Sequence, residues 1–210
     1  MKEVFTEIFE KNLWKDDESA SWPWSSYEQT KKIIEELPKL FRKFNIHSIL
    51  DIPCGDFNWM KKVDLSGITY IGADIVNELV NKNYYKYDEE FMTLDITKDK
   101  LPRVDVVFVR DCLVHFSNKD IYKALKNIYK SGAKYLLTTT FPEHYVEHDI
   151  IIWPEGWGWR PLNFQKRPFN FPEPIAIINE WCTEANWVFS DKSLGLWEIE
   201  TIYPLINKNA

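Results

Sequence analysis

The stretch Ser48–Met60, SILDIPCGDFNWM, runs from a short apolar segment into Asp51 and then breaks at a Pro-Cys-Gly-Asp turn. An apolar run of this length suits a strand of a parallel sheet, which is covered on both faces and has no polar side. A glycine in the turn after it suits a place where a ligand passes close to the backbone. A buried strand with an ordinary turn explains the stretch equally well, because one glycine turn is a weak signal. The regular spacing of acids further along the chain tips the balance.

Three further predicted strands end in an acid: Thr69–Asp74 (TYIGAD), Phe91–Asp95 (FMTLD) and Val104–Asp111 (VDVVFVRD). Ala133–Thr140 (AKYLLTTT) is a fifth strand. Glu78–Tyr84 and Lys119–Tyr129 read as helical, the second with Ile121, Leu125 and Ile128 on one face. Strands alternating with helices predict an α/β fold built on a doubly wound, mostly parallel sheet. Upstream, Met1–Lys15 reads as an amphipathic helix with Val4, Ile8 and Leu13 loosely on one side, and Asp16–Ser26 as a loop. From Glu28, apolar residues at helical steps predict a helix that Pro38 kinks or divides. Residues 1–46 thus form an N-terminal helical cap. Downstream, Ile175–Glu184 reads as a helix, and Trp187–Ser190 with Leu196–Tyr203 as an antiparallel hairpin around Lys192–Gly195.

Phe141–Pro174 breaks the rhythm with six prolines and many aromatic residues. A connection this long is a lid, a binding loop or disordered, and its aromatic content argues against disorder.

With 210 residues and 45% hydrophobic content, the chain suits one domain with one core. A net charge of −6 and a pI near 5.3 exclude the basic footprint of a nucleic-acid-binding protein. Cys54, Cys112 and Cys182 are far apart, odd in number and without metal-ligand spacing, as expected of a chain in a reducing, cytoplasmic setting. Neither a leader segment nor an apolar run near membrane-spanning length is expected.

Asp51, Asp74, Asp95 and Asp111 therefore all fall at the carboxyl ends of strands, the edge where open parallel sheets bind ligands. Any one of them could be a helix cap. Four in succession point to a site, and an acid some 20 residues after a glycine turn suits ribose hydroxyls. No GxxxxGK[ST] loop is present, so an adenosine without a pyrophosphate fits better than a dinucleotide.

The series DIPCGD, YIGADI, FMTLDIT and VVFVRDCLVHF resembles the S-adenosylmethionine-dependent methyltransferases of the Rossmann-like type, over roughly Gln29 to Tyr203. Gln29-Thr30, CGDF with Trp59, RPLN, PFN, PEP, INE and LGLW are similar to a group of small methyltransferases associated with glycan or sugar modification. The chain departs from the usual DxGxGxG loop, having Pro53 and Phe57 where glycines are common. The resemblance implies S-adenosylmethionine as cofactor. It places Asp51, Cys54, Gly55 and Asp56 around the methionine moiety, Asp74 on the ribose hydroxyls and Ile75 on the adenine. It puts Asp95 and Ile96 at the adenine edge, and Arg110, Asp111 and Leu113 between cofactor and acceptor. Trp24, Ser26, Thr30 and Trp59 would close over the cofactor carboxylate.

Methyl transfer to a hydroxyl needs a proton acceptor. His115, four residues after Asp111, is the candidate base, with Asp111 as its alternative or its orienting partner. In the long segment, Trp157, Trp159, Arg160 and Asn163 suit a sugar, which offers an apolar face and a hydroxyl rim. Lys166 and Arg167 would meet an anionic group of the acceptor. The expected acceptor is accordingly a glycan or nucleotide-activated sugar. Methylation of an amine or another small metabolite, and cofactor binding without catalysis, are the rival readings. His144 and His148 at i, i+4 with neighbouring acids suggest a metal, but exposed polar residues explain them more cheaply and no metal is expected.

Overall fold

The computed structural model describes residues 2–11, 25–145, 148–149 and 158–208. Seven strands form one sheet: β1 (Ser48–Asp51), β2 (Thr69–Asp74), β3 (Glu90–Thr93), β4 (Val106–Val109), β5 (Tyr135–Thr140), β6 (Ala176–Asn179) and β7 (Ser193–Glu198). Their order is β3-β2-β1-β4-β5-β7-β6, with only β7 antiparallel to its neighbours. The helices are α1 (Lys2–Glu10), α2 (Tyr27–Lys43), α3 (Asn77–Lys86), α4 (Asn118–Lys130) and α5 (Ile199–Lys208). The chain runs outward from β1 through β2 to β3, then crosses back to β4 on the other side of β1. That reversal opens a crevice at the carboxyl ends of β1 and β4, the place such sheets reserve for ligands.

Alternate residues of each strand feed two cores, as a period of two requires. Ile49, Val106, Phe108, Leu137, Leu194 and Leu196 pack with Ile33, Leu37, Leu40 and Phe41 of α2. Leu50, Val107, Val109, Leu136 and Trp197 pack with α4 and α5 on the opposite face. α2 continues as one helix through Pro38, where the sequence predicts a kink or a break. Its apolar stripe is buried on both sides of the proline, so packing outweighs the lost hydrogen bond. Ser117 caps α4: its Oγ accepts from the backbone N–H of Asp120 at 3.2 Å, one of the donors a helix start leaves unpaired.

The C-terminal third departs from expectation. Ala176–Asn179, predicted as helix, is the edge strand β6, because Ile178 pairs with Leu194 and Asn179 with Ser193 across the sheet. Trp187–Ser190, predicted as a strand, follows a short 3₁₀ turn (Glu184–Trp187), and Trp187 and Val188 are exposed. The strand predicted over Leu196–Tyr203 stops at Glu198 and gives way to α5. Ile199, Ile202 and Ile206, at helical spacing, are buried there, and Tyr203 stacks on Tyr129 of α4 with ring centroids 3.4 Å apart. The hairpin survives, but its partners are β6 and β7.

The long proline-rich connection is split in its duties. Leu162, Phe164, Phe169 and Phe171 are core residues, and Phe164 and Phe171 pack on Trp197 at 6.0 and 5.7 Å. The Trp197 indole N–H donates to the Pro172 carbonyl at 2.9 Å. Gly195 makes room for that ring, since a Cβ there would lie 2.3 Å from it. Among the described residues, no helix is long and apolar enough to cross a membrane.

Candidate active site

A cavity of about 340 Å³ lies at the crevice. Its floor begins with the opening motif. The Ile52 N–H donates to the Phe108 carbonyl at 2.9 Å and the Cys54 N–H to the Ala73 carbonyl at 2.8 Å, so the turn is pinned between β4 and β2. Gly55 has a φ of 56°, the left-handed region that glycine enters without strain. The buried Asn83 of α3 donates to the Gly55 carbonyl at 2.7 Å. Phe57 also takes a left-handed φ, 59°, and its ring is held by Tyr70, Tyr87 and Phe91 at 5.0 to 5.4 Å. Aromatic packing thus stabilises a backbone shape usually left to glycine.

Asp51, Cys54, Gly55, Asp56 and Trp59 line this end of the cavity. Asp51 is buried and accepts from the Tyr70 hydroxyl at 2.8 Å. Burial pushes its carboxyl up to about 8, with Tyr70 and Arg110 opposing the shift. Asp74 accepts from the N–H groups of Val76 at 3.0 Å and Gly55 at 3.2 Å, tying the glycine turn to the end of β2. Burial still raises it to about 6. Neither carboxylate has an ion-pair partner among the described residues. Ile75, Asp95 and Ile96 also line the cavity. Asp95 is buried enough to be raised, but hydrogen bonds from Thr97 and Lys98 outweigh burial and hold it below the usual range.

At the other end, Arg110, Asp111 and His115 line the cavity with Trp159. His115 Nδ1 lies 2.7 Å from the Gly158 carbonyl, a contact in which Nδ1–H donates and Nε2 keeps its lone pair. Burial lowers its basicity below the ordinary histidine value and keeps the ring neutral. Asp111 sits at φ 51° and its N–H donates to Thr139 Oγ1 at 2.9 Å. Burial would raise its carboxyl, but Lys192 at 2.6 Å and Arg110 at 3.2 Å outweigh that and hold it below the usual range.

Five expected residues are elsewhere. Ser26 and Thr30 do not line the cavity: the Thr30 hydroxyl donates to the Ser26 carbonyl at 2.8 Å, inside the first turn of α2. Leu113 is packed in the core. Arg160 is buried and does not reach the cavity, because it donates to the carbonyls of His148 and Phe116 and to Asn118 Oδ1. Asn163 donates to the Pro142 carbonyl at 2.7 Å and so folds the connection. Trp24 and Trp157 lie outside the described residues. His144 and His148 are used separately: His144 Nδ1 lies 2.9 Å from Asp191 Oδ1, and His148 contributes its carbonyl to Arg160.

Several lining residues carry no signal that the sequence reading used. Phe5 and Phe9 of α1 face the cavity, and the Phe5 ring meets His115 edge-on at 6.1 Å. Ser25, Phe116 and Phe189 are also part of the wall. Phe5 and Phe9 stand four residues apart, a helical spacing that could have revealed this face. Lys192 and Glu180 have no comparable spacing, Lys192 standing in a polar Ser-Asp-Lys-Ser stretch and Glu180 after Asn179.

The fold recurs among solved structures. The PH0226 protein from Pyrococcus horikoshii is similar over 84% of this chain and 93% of its own, at 14% identity and a TM-score of 0.57. The 1,6-didemethyltoxoflavin-N1-methyltransferase of Burkholderia thailandensis, solved with S-adenosylhomocysteine, matches 77% of this chain and 70% of its own at 14% identity and 0.56. The N-methyltransferase NodS of Bradyrhizobium japonicum, also with S-adenosylhomocysteine, matches 67% and 74% at 14% identity and 0.53. This chain thus has the Rossmann-like fold of class I methyltransferases. No protein-family model and no curated protein matches it.

Proposed function

We propose that this chain is an S-adenosylmethionine-dependent methyltransferase acting on a hydroxyl of a small, unphosphorylated acceptor, with a sugar as the favoured class. The observation that carries the reading is the row of acids at the ends of β1, β2 and β3, opening into one cavity with Asp51 and Asp74 lacking an ion-pair partner among the described residues. A ligand that brings its own positive charge and a ribose fits that row. Asp51 would take the ammonium group, Asp74 the ribose hydroxyls, and Asp95 the adenine edge.

When bound, S-adenosylmethionine supplies a methyl group on a positively charged sulfur, a good leaving group, so the protein's share is alignment and proton removal. His115 is placed for the second task. Its Nδ1–H is committed to Gly158, and its neutral Nε2 can take the hydroxyl proton. Asp111 is the poorer base, because two cations stabilise its anion. Phe5, Phe116, Trp159 and Phe189 exclude water from this end and offer flat apolar faces to a sugar ring.

The nucleotide-activated form of the acceptor loses its support. Lys166 and Arg167 are exposed and away from the cavity lining, while Arg110 is committed to Glu180 and Asp111. Segments 12–24 and 150–157 contain Lys15 as their one cation, against Asp16, Asp17, Glu18 and Glu155. A diphosphate at the cavity would meet acids and no uncommitted cation among the lining residues. An amine acceptor is the second reading, favoured by the fixed anion of Asp111.

The test combines calorimetry of S-adenosylmethionine binding with a screen of neutral sugars, their phosphate esters and amines, using labelled methyl donor and mass spectrometry of products. Failure to bind the cofactor defeats the reading. Preference for phosphorylated sugars defeats the acceptor class.

A further inference from the structure

At the β4 end of the cavity, four charged side chains meet from three separate parts of the chain. Arg110 and Asp111 follow β4, Glu180 follows β6 and Lys192 precedes β7. Arg110 Nη2 donates to Glu180 Oε2 at 2.7 Å, and its Nε lies 3.3 Å from both Glu180 oxygens. Glu180 Oε2 lies 3.4 Å from Lys192 Nζ. Lys192 Nζ donates to Asp111 Oδ2 at 2.6 Å, and Asp111 Oδ2 lies 3.2 Å from Arg110 Nη1. The contacts close on themselves, with acids and bases alternating and no net charge.

We propose that this ring holds Asp111 as a fixed anion that anchors a hydroxyl or amino group of the acceptor, leaving His115 as the base. The inference rests on the methyltransferase reading above. Burying four charges costs several kcal/mol per ion before pairing, and apolar residues of similar size would stabilise a core at least as well. A role at the adjoining site accounts for charge being kept there. Exposure agrees: side chains of Arg110, Glu180 and Lys192 are 5%, 1% and 1% exposed, while that of Asp111 is 19% exposed and lines the cavity. Arg110 borders the cavity too, but its side chain is buried, so Asp111 is the member most open to a ligand. Asp111 Oδ2 takes both cations, whereas Oδ1 makes, among the described residues, a 3.4 Å contact with Thr139 Oγ1. Oδ1 is therefore the oxygen that can accept from a ligand. The left-handed backbone at Asp111, held by Thr139, orients the carboxylate before any acceptor arrives.

Lys192 and Glu180 touch no ligand in this scheme and act through Asp111, as positioning residues. Their charges reach His115 as well. The charged groups acting on that imidazole are Asp111 from its own connection and Lys192 from the start of β7, while Gly158 contributes a carbonyl and Phe5 of α1 a ring edge.

The experiment follows His115 by NMR of its ring carbon during pH titration of the protein saturated with S-adenosylhomocysteine, in Lys192→Met, Lys192→Arg, Glu180→Gln and Asp111→Asn variants. Lys192→Met should move the His115 titration upward, and Asp111→Asn and Glu180→Gln downward, with Lys192→Arg restoring the native curve. The Lys192 and Glu180 variants should keep S-adenosylhomocysteine affinity within about threefold of native. With an acceptor from the screen, Asp111→Asn should raise KM roughly tenfold, the worth of one hydrogen bond to a charged group, and change kcat less. A His115 titration that is the same in all variants would overturn the ring's role, as would a native KM with a collapsed kcat in Asp111→Asn. If Lys192→Met does not fold, Glu180→Gln and Lys192→Arg decide alone. A native protein that fails to bind S-adenosylhomocysteine overturns the methyltransferase reading itself, a result separate from the other two.

Discussion

The two ends of the cavity treat negative charge in opposite ways. At the ends of β1 and β2, Asp51 and Asp74 are buried without an ion-pair partner among the described residues, and burial raises them to about 8 and about 6. At the end of β4, Asp111 is partly exposed to the cavity and held ionised by Lys192 and Arg110. The first end is electrostatically incomplete and gains from a ligand that carries positive charge. The second is complete before anything binds, so it can orient a neutral group without rearranging. One cavity therefore combines a place that attracts a cation with a place that is already organised, which suits a charged donor meeting a neutral acceptor.

The sharpest way to test that division is His115→Ala. Turnover should fall by roughly 10²–10⁴ while cofactor affinity stays near native. Burial lowers His115 below its ordinary value, so the native rate should rise with pH, with its midpoint below the ordinary histidine value, and then level off. A variant with full turnover across neutral pH would leave the completed end without its base.

Asp74→Ala probes the incomplete end. Loss of a charged acceptor for the ribose should cost about 1.5–3 kcal/mol, roughly tenfold or more in cofactor affinity by calorimetry. Unchanged affinity in a folded variant would remove Asp74 from the site.

Arg160→Ala sharpens the boundary between site and scaffold. Its guanidinium ties the carbonyls of His148 and Phe116 to Asn118. The expected loss is about 1–3 kcal/mol of stability by denaturant unfolding, from carbonyls left unpaired, with acceptor KM unchanged. A large rise in KM at native stability would return Arg160 to the acceptor site.

The smallest effect is a slope. Asp51 titrates near 3.8 when unfolded but at about 8 when folded, so the folded chain binds the extra proton. Without cofactor, stability should therefore decline as pH climbs through that window. Asp51→Asn should flatten the decline in melting temperature between about pH 5 and about pH 8, and should weaken cofactor binding. A native melting temperature that rises over this range would show that the carboxylate is compensated after all.

Much of this was legible in the chain itself. Apolar runs located β1 to β5, and the acids that end the first four located the cavity edge, because a strand buried on both faces needs nothing but its own composition to be recognised. The same runs placed Asp51, Asp74, Asp95, Asp111 and His115 at one rim. The remainder was decided by partners distant in sequence. Ala176–Asn179 has no strong pattern of its own and became a strand because β7 offered a ladder. Ile199, Ile202 and Ile206 do carry a helical spacing, but it is obscured by the apolar run of β7 before it. Arg160 and Asn163 look like ligands for a sugar by residue type, and only the folded path of the connection turned their donors inward. The ionic ring is the extreme case. Arg110, Asp111, Glu180 and Lys192 span more than eighty positions, and charge pairing depends on distance in space, which the order of residues along a chain does not record.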